Sequence, residues 1–258
     1  MSPTSRVSNI HAIAFAAVLF SLGCDRAETR TAAVTTNSPA GSSTAPSSTS
    51  AASRDEALVR VVHTIPNAAS LDVYAGDLVV FDAVNFKSVT SYRALDGKRY
   101  AFALRPAGMT NAKPLASNTE GLEDGSYYTV FALPGEGRTA HMRIVTDKLD
   151  KPADGKLRLR VVHAGDGVGA VDVRATGNSG TLFESVGFQT VSDYQEIGPL
   201  NGPIEIRAPG GAPVFTLPNA HLEAGRFYTL VLAGSARSTP ALEAFIIEDT
   251  LAPPPTTR

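Results

Sequence analysis

Leu58-Val-Arg-Val-Val-His63 recurs as Arg158-Leu-Arg-Val-Val-His163, Ser70-Leu-Asp-Val-Tyr74 as Ala170-Val-Asp-Val-Arg174, and Gly125-Ser-Tyr-Tyr-Thr-Val130 as Gly225-Arg-Phe-Tyr-Thr-Leu230. The offset stays between 100 and 102 residues along the whole pair. A period this long marks two tandem domains rather than a solenoid of short repeats. Within each copy the pattern has period two. Val59, Val61 and His63 share one face, Leu58, Arg60 and Val62 the other, and Leu157, Leu159, Val161 and His163 repeat the apolar face.

Further runs of strand character lie at Leu71–Tyr74, Leu78–Phe81, Tyr100–Arg105, Tyr127–Leu133 and His141–Thr146. Their counterparts are Val171–Arg174, Thr181–Phe183, Ile204–Arg207, Phe227–Ala233 and Leu242–Glu248. Turn signals such as Ala75-Gly-Asp77, Pro106-Ala-Gly108 and Pro209-Gly-Gly211 separate them, and no stretch has helical periodicity. Many short strands at this spacing predict an all-β chain of two tandem immunoglobulin-like β-sandwich domains. The spacing Leu-x-x-Gly-x-x-Tyr at Leu122–Tyr128 and Leu222–Tyr228 supports this, because it looks like a tyrosine corner. Tyr128 and Tyr228 are therefore assigned a structural role, with ligand stacking as the alternative.

With 23 basic and 25 acidic residues the chain has a formal charge of only -2, so no basic field is present to attract nucleic acid or anionic lipid. The one cysteine, Cys24, closes an apolar stretch from Ile10 to Gly23. That stretch is shorter than the roughly 20 residues of a membrane-spanning helix and has the form of an export-signal h-region. Ser21-Leu-Gly-Cys24 resembles a bacterial lipobox, which makes Cys24 the expected lipidation site and the membrane the expected partner. The alternative is a cleavable signal in which the cysteine is incidental. With no second thiol, the exported domains must be stable without a disulfide.

The expected organisation is a signal peptide over residues 1–23, a Ser/Thr/Ala/Pro-rich tether over 24–55, a first repeat over 56–150, a second over 151–251, and a tail over 252–258. A tether of this composition buries too little apolar surface to offset its conformational entropy, and as a flexible chain it reaches about 30 Å. The polar joint Lys148–Lys156, with its Pro and Gly, reads as a domain boundary. On this reading the fragments Arg54–Asp150 and Pro152–Leu251 would each fold alone.

These motifs together resemble the bacterial domain of unknown function 4397. Its members open on Arg-Val-x-His, pass through a turn into Val-Asp-Val-Tyr, and later carry Leu-x-Ala-Gly-x-x-Tyr-Thr. The first repeat shows Val61-Val-His through Val73-Tyr74, and the second Val161-Val-His through Val173-Arg174, with Arg174 in place of the customary aromatic and without the family's acidic-proline turn in either copy. The resemblance spans both repeats. It implies an exported, often membrane-anchored bacterial protein with no assigned activity, facing the periplasm or the cell surface.

The duplicated pairs His63 with Asp72 and His163 with Asp172 are the most tempting chemistry. One imidazole and one carboxylate are too few for a zinc site, which needs three or four ligands. His63 and His163 are read as core residues with bonded ring nitrogens, and Asp72 and Asp172 as structural. No metal, cofactor or catalytic residue is assigned, since the common zinc, serine and thiol motifs are missing. Gly165-Asp-Gly-Val-Gly169 is read as a turn, and carboxylates such as Asp147 and Asp249 as solvated charges at domain ends. The function that follows is a non-catalytic binding or spacer module whose protein or glycan ligand is open. The alternatives are a carbohydrate-binding or adhesive module, weakened by the absence of Trp, and a metal-dependent enzyme.

Overall fold

The computed structural model describes residues 56–135, 139–176 and 180–250. The expected signal peptide, Cys24, the tether and the tail lie outside these residues. The described chain is all β, and it holds no helix long and apolar enough to cross a membrane.

The first repeat contains β1 (Glu56–His63), β2 (Leu71–Ala75), β3 (Leu78–Val84), β4 (Arg93–Asp96), β5 (Arg99–Pro106), β6 (Ala116–Gly121), β7 (Tyr127–Pro134) and β8 (Ala140–Thr146). They form two sheets, ordered β4-β1-β7-β8 and β3-β2-β5-β6. The second repeat contains β9 (Leu157–His163), β10 (Val171–Ala175), β11 (Thr181–Val186), β12 (Thr190–Val191), β13 (Gln195–Ile197), β14 (Leu200–Arg207), β15 (Pro213–Leu222), β16 (Phe227–Ala233) and β17 (Glu243–Glu248). Its sheets run β12-β9-β16-β17, with β13 also on β9, and β11-β10-β14-β15. Each repeat is thus a β-sandwich of two packed sheets. Among the described residues the pairs β1–β7 and β9–β16 are parallel, in the same register: Val59 meets Tyr128 and Leu159 meets Tyr228.

Each sandwich closes on its own core. Val59, Val61, Val73, Phe102, Leu104 and Val130 pack together in the first, and Leu159, Val161, Val173, Ile204, Ile206 and Leu230 in the second. The opposite face of β1 and β9 is buried as well. Val62, Phe131 and Leu133 from the first repeat form a third core with Val162, Val231 and Ile247 from the second. The two inner sheets therefore pack against each other and the outer sheets flank them. Strands buried on both faces read as nearly continuous apolar runs, as parallel strands do.

Arg60 and Arg160 stand in this third core, at the polar positions of the shared Val/Leu-Arg-Val-Val-His stretch, with side chains only 4% and 2% exposed. Each reaches into the other repeat. Arg60 pairs with Asp249, and Arg160 Nη1 lies 2.7 Å from Asp147 Oδ1, close enough for an ion pair though off the angle of a hydrogen bond. The cradle around each carboxylate is duplicated. Asp147 Oδ2 accepts from Thr129 at 2.6 Å and Tyr92 at 2.7 Å, while Asp249 Oδ2 accepts from Thr229 at 2.6 Å and Tyr194 at 2.7 Å. Arg60 Nε donates to Thr129 at 2.9 Å and Arg160 Nε to Thr229 at 2.8 Å, closing two mirrored networks. The guanidinium carbons sit over the rings of Tyr92 and Tyr194 at 4.9 and 4.6 Å, within cation–π range.

Burial alone would lower the pKa of Arg60, but Asp249, Tyr92 and Asp147 outweigh it and hold the guanidinium charged. Burial, reinforced by Asp147 or Asp249, raises both phenols, so each tyrosine keeps its proton as a donor. The reading of Asp147 and Asp249 as solvated charges is corrected here. Both carboxylates are fully enclosed, because an arginine from the other repeat and a threonine and a tyrosine from their own close around each of them.

That interface changes what is expected of the isolated repeats. Fragment Arg54–Asp150 would expose Val62, Phe131 and Leu133, each giving up about 1.5–3 kcal/mol of burial, and would lose the Asp249 partner of Arg60. Calorimetry of the intact chain should show one cooperative transition. The two fragments should either lack a cooperative transition or associate in sedimentation. A monomeric fragment melting near the parent would contradict the fused interface.

Candidate functional site

The duplicated His and Asp take separate partners. His63 and His163 end β1 and β9 with no exposed surface, and each Nδ1 accepts from the backbone N–H two residues on, Ile65 at 3.1 Å and Gly165 at 3.2 Å. The proton of the neutral ring therefore sits on Nε2. In the second repeat Nε2 donates to the Gly169 carbonyl at 2.8 Å; in the first it faces the Ala69 carbonyl without closing a bond of good geometry. Phe86 and Phe188 meet the two rings edge-on at 6.3 and 5.8 Å.

Asp72 and Asp172 work on the neighbouring strand. Asp72 Oδ1 accepts from Ala83 N–H and Asp172 Oδ1 from Ser185 N–H, both at 2.8 Å. Ala83 and Ser185 have φ of 49° and 50°, a left-handed conformation that costs a residue with a Cβ, and each lies where the register of the strand pair shifts. The carboxylate thus stabilises a β-bulge. Tyr128 and Tyr228 hydroxyls accept from Glu123 and Glu223 N–H at 3.0 and 3.1 Å, a bond back across the turn. Gly125 and Gly225 in that turn have φ of 73° and 81°, which explains the glycine of the motif. Among the described residues no group of three or more His, Cys, Asp or Glu side chains gathers to hold a metal ion.

A cleft of about 530 Å³ opens at the end of the molecule that carries His63. The loop after β1, from Ile65 to Ala69, forms one wall, with Pro106, Leu115 and Ala140 facing it. Asp166 and Ser238 of the second repeat complete the rim, and among the described residues Asp166 is the one charged side chain in the lining. The two repeats are tied beside the cleft. Asn67 Nδ2 donates to the Thr239 carbonyl, Gln189 Nε2 to the Pro134 carbonyl at 3.1 Å, and Lys87 pairs with Glu243 at 3.0 Å. Neither the cleft nor the Arg–Asp exchange was singled out by motif. The exchange did leave a signal, since Arg60, Tyr92, Thr129 and Asp147 reappear as Arg160, Tyr194, Thr229 and Asp249 at the repeat offset.

Burial lowers the His63 pKa from 6.5 to about 4 and moves His163 in the same direction. The folded state therefore refuses a proton that the unfolded chain accepts. The stability this contributes is whole above pH 6.5 and is lost as pH falls from there towards 4, amounting to about 2 kcal/mol at His63 by pH 5. Denaturant titrations at pH 7 and pH 5 should show this loss in the parent and a smaller one in His63→Gln and His163→Gln. Equal losses in all three proteins would contradict the buried neutral rings.

No curated protein matches the chain. Solved structures with weak similarity include a "putative cell adhesion protein" from Bacteroides eggerthii at 9% identity and TM-score 0.22, covering 75% of this chain and 95% of that one. Another so described, from Bacteroides ovatus, has 12% identity and TM-score 0.21, covering 76% and 98%. A third, from Bacteroides fragilis, has 12% identity and TM-score 0.18, covering 77% and 99%. Residues 57–174, spanning the first repeat from its opening strand, the joint and the beginning of the second repeat, match the family described as Domain of unknown function (DUF4397).

Proposed function

We propose that this chain is a non-catalytic binding module of the bacterial envelope, held to a membrane by a lipid on Cys24, whose two repeats are copies of one family domain acting as a single body. The observation that carries the reading is the cleft where loops of both repeats converge, walled mainly by apolar side chains with a few polar ones. The deeply buried ionisable groups are engaged elsewhere: Arg60, Arg160, Asp147 and Asp249 hold the repeats together, and the histidines tie down the turns that follow them. A sugar-binding role finds less support, because among the described residues no aromatic side chain lines the cleft for a pyranose to stack on.

Anchoring and ligand binding are separable parts of this function. Cys24→Ser should move the protein from the detergent phase to the aqueous phase on phase-separating extraction. Unchanged partitioning of that variant would remove the lipid anchor from the account.

A further inference from the structure

The two repeats share their strands and differ at the cleft, and the difference bears on what the cleft holds. At the second repeat's equivalent position Gly165 lies under Leu242; a Cβ placed there would come within 3.0 Å of the leucine Cδ2. The strand register makes Ala140 the counterpart of Leu242 and Ile65 the counterpart of Gly165. Apolar bulk has moved from the strand to the loop, and beside it the first repeat keeps its open cleft. The loop that forms the wall is also less firmly bonded than its counterpart, because His63 Nε2 lacks the bond that His163 Nε2 makes to Gly169.

The chemistry of the lining narrows the ligand. The walls are mainly aliphatic and prolyl, with Asn67, Thr139 and Ser238 the uncharged polar side chains among them and Leu115, still 39% exposed, at the mouth. On the opposite rim the half-buried Asp166 carboxylate receives one weak bond, from Ser235 Oγ at 3.2 Å, and no ion pair to it is formed among the described residues. An aliphatic floor beside one carboxylate is complementary to an aliphatic group carrying a nearby cation. Resting on the binding-module reading, we propose that the cleft takes a peptide segment in which a branched aliphatic side chain is flanked by a basic residue, the aliphatic group between Ile65 and Leu115 and the cation at Asp166.

The test uses the full-length chain and two labelled peptides, Gly-Lys-Leu-Leu-Lys-Gly and Gly-Glu-Leu-Leu-Glu-Gly, titrated by fluorescence anisotropy. The basic peptide should bind saturably and more tightly than the acidic one, and added salt should weaken it. Ala140→Leu, which puts the second repeat's bulk into the cleft, should weaken the basic peptide by roughly tenfold or more. Ser238→Lys at the exposed rim should do the same by supplying the cation in place of the ligand, and it guards against a folding failure of Ala140→Leu. Asp166→Asn should abolish the preference for the basic peptide. Melting temperatures report whether each variant is folded. No saturable binding, equal binding of both peptides, or binding indifferent to both Ala140→Leu and Ser238→Lys would overturn the proposal. Such a failure leaves the partitioning of Cys24→Ser untouched, so the anchor is judged separately.

Discussion

Arg60 and Arg160 each place a full charge where water does not reach, and each finds its carboxylate in the other repeat. Such pairs carry a desolvation cost that attraction offsets only when the remaining polar atoms are also bonded. Here the duplicated threonines and tyrosines supply most of those bonds, while Arg160 Nη2 and Asp147 Oδ1 are left with the ion pair alone. The consequence is geometric. An aliphatic interface alone could slide, whereas two crossed ion pairs in a dry setting accept one register, and a shift of either inner sheet would strand buried charge. The rest of the molecule inherits that register. The placing of Asp166 and Ser238 against the first repeat's loops follows from it, as does a cleft with walls from both repeats.

Much of the fold was legible because the strands carry their period openly. β1, β2, β5 and their counterparts show apolar alternation and β7 and β16 a nearly continuous apolar run, and the structure places strands there. β6, Ala116-Ser-Asn-Thr-Glu-Gly121, was not legible: its alternation of half-buried and exposed positions is written in polar residues. β15 was obscured by Pro213 and Pro218, which an edge strand tolerates because its outward N–H groups need no partner. The carboxylates misled for a different reason. Asp147 beside Lys148, and Asp249 beside Glu248 and Thr250, look solvated one by one. Their burial follows from the apolar residues on the outward face of β1, β7, β9 and β16, and that face has meaning only once two sheets are known to meet.

The candidate site was less legible than the fold. Its walls are loops, where the repeats diverge and where composition signals a turn without saying what the turn surrounds. Ile65, Ala140 and Asp166 are unremarkable as letters. They become a site because the inner sheets bring the loop after β1 against the second repeat, a relation between residues about 100 positions apart. The duplicated histidines and aspartates were conspicuous as letters, and the structure gives them local bonds to turns and bulges.

The crossed charges are the centre of this account, and a double-mutant cycle between Arg60 and Asp249 tests them most directly. Arg60→Met and Asp249→Leu, separately and together, are compared with the parent by denaturant unfolding at neutral pH. Each single change should cost about 3–5 kcal/mol because it removes one partner of a buried pair, leaving Arg60 only Asp147 at 3.9 Å or Asp249 only its two hydroxyl donors. The double variant should cost well below the sum, with a coupling of about 2 kcal/mol or more. Additivity within about 0.5 kcal/mol would mean that the two residues act independently and that this crossed pair does not hold the repeats in register.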